Sequence, residues 1–114
     1  MLPSPRLSQA ASPLGAFGMY VVIFKATVRN LDAAYSDLAA RLRQTALDEF
    51  GCLAFEGVSE GDREIALSYW TSLDDIKRWK QHAEHLTAQR LGREAWYSAY
   101  SVEIARVERS YRSG

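Results

Sequence analysis

The chain has 114 residues, 47% of them hydrophobic and 25% charged, a composition that builds one ordinary globular domain and leaves no room for a second. Lys and Arg number 14 and Asp and Glu number 14, so the net charge is zero and the basic excess that a phosphate-tracking surface uses is missing. A single cysteine, Cys52, excludes an intrachain disulfide and a multi-thiolate metal centre, and no run of about 18 apolar residues is present to span a membrane.

Residues 1–18 carry three prolines, one arginine and no sustained apolar core, a poor signal peptide. They are expected to form a flexible arm ahead of a domain over residues 19–111, in a cytoplasmic protein. Met19 to Val28 is rich in β-branched and aromatic residues and predicts strand one. Its run Val21, Val22, Ile23, Phe24 is apolar at consecutive positions, so both faces of this strand are expected to be buried.

Asn30 or Asp32 can cap the helix that follows. Leu31, Tyr35, Leu38, Leu42, Ala46 and Phe50 recur at steps of three and four and predict its inward stripe, and Gly51 suits its C-terminal end. Cys52 to Val58 and Ile65 to Thr71 predict a hairpin around the turn Glu60-Gly61-Asp62. Ser72 to Asp75 has the character of a helix cap, and Leu73, Ile76, Trp79, Ala83, Leu86 and Arg90 predict the apolar stripe of a second helix that Gly92 ends or bends. Ala99 to Ser110, with Tyr100, Val102 and Ile104 alternating against polar neighbours, predicts strand four.

The order strand, helix, strand, strand, helix, strand is an α+β, ferredoxin-like βαββαβ arrangement with a four-stranded antiparallel sheet. Two helices cover one face of such a sheet. Strand one and Ile65-Ala66-Leu67 are apolar on both faces, so a second copy of the chain packed sheet against sheet is the expected cover, and a homodimer the expected state.

Tyr69, Trp70, Trp79, Trp96, Tyr97, Tyr100 and Tyr111 all fall in the second half of the chain. Such rings serve core and interface packing, and they also make pocket walls for flat apolar ligands. His82 and His85, three apart on the second helix, are the only histidines. No further ligand stands at motif spacing, so no metal site is expected. Cys52, in an apolar run, reads as a small core residue. Glu56, Glu60, Asp62 and Glu64 surround the hairpin turn and read as a solvated rim. Gly-rich phosphate loops and nucleophile elbows are absent. Strand three lacks the Lys/Arg-Gly-aromatic signature of an RNA recognition motif, so no nucleic-acid partner is expected.

The segment from Ser68 to Tyr100 resembles the antibiotic biosynthesis monooxygenase family. The resemblance is carried by Tyr69-Trp70, Ser72, Ile76, Trp79-Lys80, Glu84-His85, Ala88-Gln89 and Trp96-Tyr97, with Val107 to Tyr111 similar to that family's last strand. It implies a dimeric α+β barrel with a pocket between each sheet and its helices. Some members oxygenate phenols or quinols with no metal or flavin, the deprotonated substrate itself giving an electron to oxygen. On that pattern the expected activity is a cofactor-independent monooxygenase acting on a small aromatic or quinol-type compound. His85 is then the candidate base and Trp79 its catalytic partner, with Phe24, Trp70, His82, Trp96 and Tyr100 lining the pocket. The alternative is a dimer of the same shape that binds a small molecule without catalysis. Other members degrade heme with an Asn, a Trp and an iron-binding His. Trp79 matches that Trp, but strand one offers no Asn and the iron-binding position falls at or near Gln89, so heme is disfavoured.

Overall fold

The computed structural model describes residues 18–29, 33–91 and 97–114, the last turn of its second helix by backbone alone. Most of the expected arm therefore lies outside the described residues, as do Leu31, the capping candidates Asn30 and Asp32, Gly92 and Trp96. The elements run β1 (Tyr20–Val28), α1 (Ala33–Glu49), β2 (Ala54–Glu60), β3 (Arg63–Trp70), α2 (Leu73–Leu91) and β4 (Tyr97–Arg106). The strands form one antiparallel sheet in the order β2-β3-β1-β4. This is the ferredoxin-like α+β fold expected from the element order.

Register decides which side chains meet the helices. Tyr20 pairs with Trp70 and Arg106, Val22 with Ser68 and Ile104, Phe24 with Ala66 and Val102, and Ala26 with Glu64 and Tyr100. Because strand side chains alternate, these residues share the face on which α1 and α2 lie. Val28, Tyr35 and Leu38 form the core at one end of that face, and Ala46, Cys52, Trp70 and Ile76 form it at the other. The stripe expected for α1 is the one that packs: Tyr35, Leu38 and Ala46 are buried, with Leu42 and Phe50 against them.

Local chemistry sets the element ends. Gly51 has φ +84°, and a side chain there would bring its Cβ to 2.9 Å from Asp75 Oδ2, so only glycine makes this turn without strain. The chain then reverses, and the Cys52 N–H donates back to the Ala46 carbonyl at 3.1 Å. Cys52 is buried and its thiol donates to the Ala54 carbonyl at 3.2 Å; β2 begins at Ala54, two residues later than expected. The hairpin is tighter than expected, because Glu60 pairs with Arg63 across Gly61 and Asp62 alone. Gly61, at φ +61°, takes the first central position, where a two-residue type II′ turn needs a positive φ. The Ser72 hydroxyl accepts from the Asp75 N–H at 3.1 Å and caps α2.

Two expectations about apolar rows change. Leu73 stands 52% exposed at the first position of α2, before the helix reaches the sheet. Tyr100, Val102 and Ile104 do share one face, but edge strand β4 lies beyond the cover of the helices and all three are exposed. On the opposite face, Val21, Ile23, Ile65, Leu67 and Tyr69 form an apolar area, and among the described residues no helix lies above it.

Candidate functional site

The helix side of the sheet carries two aromatic groups with a small-residue floor between them. At one end α2 brings Trp79 over Trp70, ring centroids 6.3 Å apart, and Phe50 packs on Trp79 at 5.9 Å. His82, one helical turn beyond Trp79, lies 6.2 Å from it and 5.1 Å from Phe50. Trp70 is wholly buried, its indole N–H donating to Ser68 Oγ at 2.9 Å, so it forms the base of this group. Trp79 and His82 are half-buried and closer to solvent. His85 is exposed on α2.

At the other end Tyr97 is the hub. Its ring meets Phe24 edge-on at 5.3 Å, Tyr35 edge-on at 6.0 Å and Tyr100 at 5.9 Å, while Phe24 and Tyr100 stack at 6.0 Å. Edge-to-face and offset pairs at these spacings are the favourable arrangements of aromatic quadrupoles. Tyr100 is 63% exposed, so this group opens towards the uncovered edge of the sheet. Between the two groups the sheet presents Val22, Ala66 and Ser68, with Gly57 beside Ala66 on β2.

Glu64 belongs to this second group, not to a solvated rim. Glu56, Glu60 and Asp62 are exposed as expected, but strand parity turns Glu64 to the helix side with Ala66, Ser68 and Trp70. There it is half-buried and accepts a hydrogen bond from the Tyr35 hydroxyl. Burial, and then the bond to Glu64, push the Tyr35 phenol well above its usual value, and burial raises Tyr97 as well. The acid run around the turn hid this position; the alternation Glu64, Ala66, Ser68, Trp70 was the signal that reveals it. Burial also raises the Cys52 thiol, which is therefore a packed core residue and no nucleophile.

Of the residues singled out from sequence, the fold brings Trp70, Trp79 and His82 together at one end and Phe24 and Tyr100 at the other. His85 stays apart from both, and Trp96 lies outside the described residues. Among the described residues no group of three or more His, Cys, Asp or Glu gathers to hold a metal ion, and no helix is long and apolar enough to cross a membrane.

Residues 19–91 match the family model described as antibiotic biosynthesis monooxygenase. The uncharacterized protein YqjZ of Bacillus subtilis is 42% identical over 91 residues, covering 79% of this chain and 80% of that one. Among solved structures, SnoaB, a cofactor-independent oxygenase from Streptomyces nogalater, superposes with a TM-score of 0.64 at 16% identity, over 82% of this chain and 96% of that one. A conserved protein from Methanosarcina mazei gives a TM-score of 0.65 at 16% identity, over 82% and 97% of the two chains. At such identity the structural likeness concerns the fold.

Proposed function

We propose a reaction for this site from one premise: the chain belongs to the antibiotic biosynthesis monooxygenase family. The reading is a cofactor-independent monooxygenase acting on a small aromatic or quinol-type compound. The observation that carries it is the pair of aromatic groups, around Trp79 and around Tyr97, on one face of the sheet, with Val22, Ala66 and Ser68 at the register positions between them. A flat ring between them meets aromatic walls and a floor of small side chains, the surroundings that seat a phenol and exclude water.

The chemistry asked of the protein is modest. The substrate loses a proton, the resulting anion gives an electron to dioxygen, and the two radicals combine. In an anthrone one oxygen atom stays on carbon as a carbonyl and the other leaves as water with the two hydrogens of the ring CH₂. In a hydroquinone one oxygen stays on a ring carbon as a hydroxyl, the other leaves as water with two of the substrate's hydrogens, and the product is a hydroxyquinone. The side chains seat the ring, take the first proton and keep bulk water away. In this reading Trp79 lies against the substrate, Phe24, His82 and Tyr100 line its site with Trp70 beneath, and His85 receives the proton. The protein works as a homodimer, the second copy covering Val21, Ile23, Leu67 and Tyr69.

Oxygen uptake tests this directly. Purified protein with a panel of hydroquinones, anthrones and catechols, and no added cofactor, consumes oxygen above the uncatalysed rate, and Trp79→Ala abolishes the excess. No uptake across the panel removes the catalytic reading.

One observation favours a second reading, a binding module without catalysis. His85 is exposed and apart from both aromatic groups. A module of that kind binds members of the same panel, consumes no oxygen and is indifferent to His85→Ala.

A further inference from the structure

The polar atoms at the Tyr97 end have a fixed hydrogen-bonding sense. An ionised carboxylate only accepts hydrogen bonds, and a tyrosine hydroxyl has one hydrogen to give. Tyr35 gives its hydrogen to Glu64. The Tyr97 ring packs edge-on against the Tyr35 ring at 6.0 Å, which places this carboxylate beside the aromatic group. With the Tyr35 hydrogen committed to Glu64, what the carboxylate offers a third group is acceptor capacity, because its two oxygens hold more than one donor.

We propose that Glu64, with Tyr35 oriented by it, makes this end of the site an acceptor that selects aromatic ligands carrying a free hydroxyl over their ethers and over quinones. The inference rests on the reading of this face as the ligand site. Glu64 is the specificity-determining residue; Tyr35 is a positioning residue. The register explains why the acceptor sits beside aromatic walls. Glu64, Ala26 and Tyr100 form one row across β3, β1 and β4, with the small, buried Ala26 between them. A hydroquinone offers a donor to this end, whereas the corresponding quinone offers only further acceptors, and two acceptors facing each other without a hydrogen lose the bond each made to water. The same feature would release an oxidised product in favour of a reduced substrate.

The test compares 1-naphthol with its methyl ether, two ligands of the same ring system that differ in the donor, by calorimetric titration of the full chain. Wild-type protein is expected to bind the naphthol about tenfold tighter than the ether, the scale of one hydrogen bond to a charged acceptor. Glu64→Gln, nearly the same shape but carrying an N–H₂ donor, brings the ratio close to one, chiefly by tightening the ether. Tyr35→Phe keeps the carboxylate and so keeps the preference for the naphthol. Equal affinities in the wild type, or a ratio unmoved by Glu64→Gln, overturn the proposal while leaving the ligand site standing. Lower melting temperatures in both variants with an unmoved ratio mean a structural bond only, and overturn it too. If neither compound binds the wild type, the ligand site itself is wrong and the proposal falls with it.

Discussion

Tyr35, on α1, hydrogen-bonds Glu64, on β3, across 29 positions of sequence, and this bond ties the first helix to the sheet from inside. Loss of a buried bond to a charged group costs about 1–3 kcal/mol. Tyr35→Phe is therefore expected to lower the unfolding free energy by about that amount at neutral pH, as measured by urea denaturation. An unchanged midpoint would place the bond in solvent.

The same pair sets an alkaline limit. Tyr35 and Tyr97 are both raised, so above the usual tyrosine value of about 10 the folded state holds protons that the unfolded chain releases. Their contribution is complete below about pH 10 and is lost as pH rises beyond it. Melting temperature followed across this range is expected to fall more steeply in the wild type than in a Tyr35→Phe, Tyr97→Phe double variant. A parallel decline in both proteins contradicts the shifts.

Trp70 and Trp79 are expected to respond differently to truncation. Trp70 is wholly buried and its N–H is satisfied by Ser68, so Trp70→Ala removes about 3–5 kcal/mol and reports on folding, not on the ligand. Trp79 is half-buried, and Trp79→Ala is expected to keep the fold while weakening ligand binding at least tenfold. Circular dichroism with calorimetry separates the two. A folded Trp70→Ala of wild-type stability contradicts the assignment.

The sequence carried the framework because its signals were periodic and redundant. The stripe Tyr35, Leu38, Ala46 has one helical solution, and Glu60-Gly61-Asp62 has few readings besides a turn. The site was harder to read for two reasons. Strand faces depend on parity, and β1 is apolar on both sides, so sequence does not tell whether Phe24 or Ile23 meets the helices; the pairing of Phe24 with Ala66 and Val102 does. Tertiary partners far apart leave no local trace, which is why Glu64 was lost among its acidic neighbours and why Tyr97 stood as one aromatic residue in a list. On α2, spacing alone puts His82 and His85 on equal terms, and only the position of Phe50 distinguishes them.

The uncovered sheet face yields a test of assembly. Leu67 lies on the face opposite α1 and α2, beside Ile23. Sedimentation equilibrium is expected to give the mass of two chains for the wild type and of one for Leu67→Asp. A monomeric wild type would require the apolar row to be covered in another way.

His85→Ala is expected to abolish oxygen uptake with the fold unchanged, because its exposed side chain supports no packing. His82→Ala, which removes a ring packed on Phe50 and Trp79, is expected to weaken ligand binding as well as turnover. Retained turnover in His85→Ala, with loss in His82→Ala alone, would move the proton acceptor to His82.

The most direct measurement is mass spectrometry of the product formed under isotopically labelled dioxygen from the best substrate of the panel, with no metal, flavin or nicotinamide added. The monooxygenase reading requires one labelled oxygen atom in each product molecule and none when the label is supplied in water under conditions that prevent carbonyl exchange. A product that carries no label from dioxygen, or ligands that bind and leave unchanged, contradicts it.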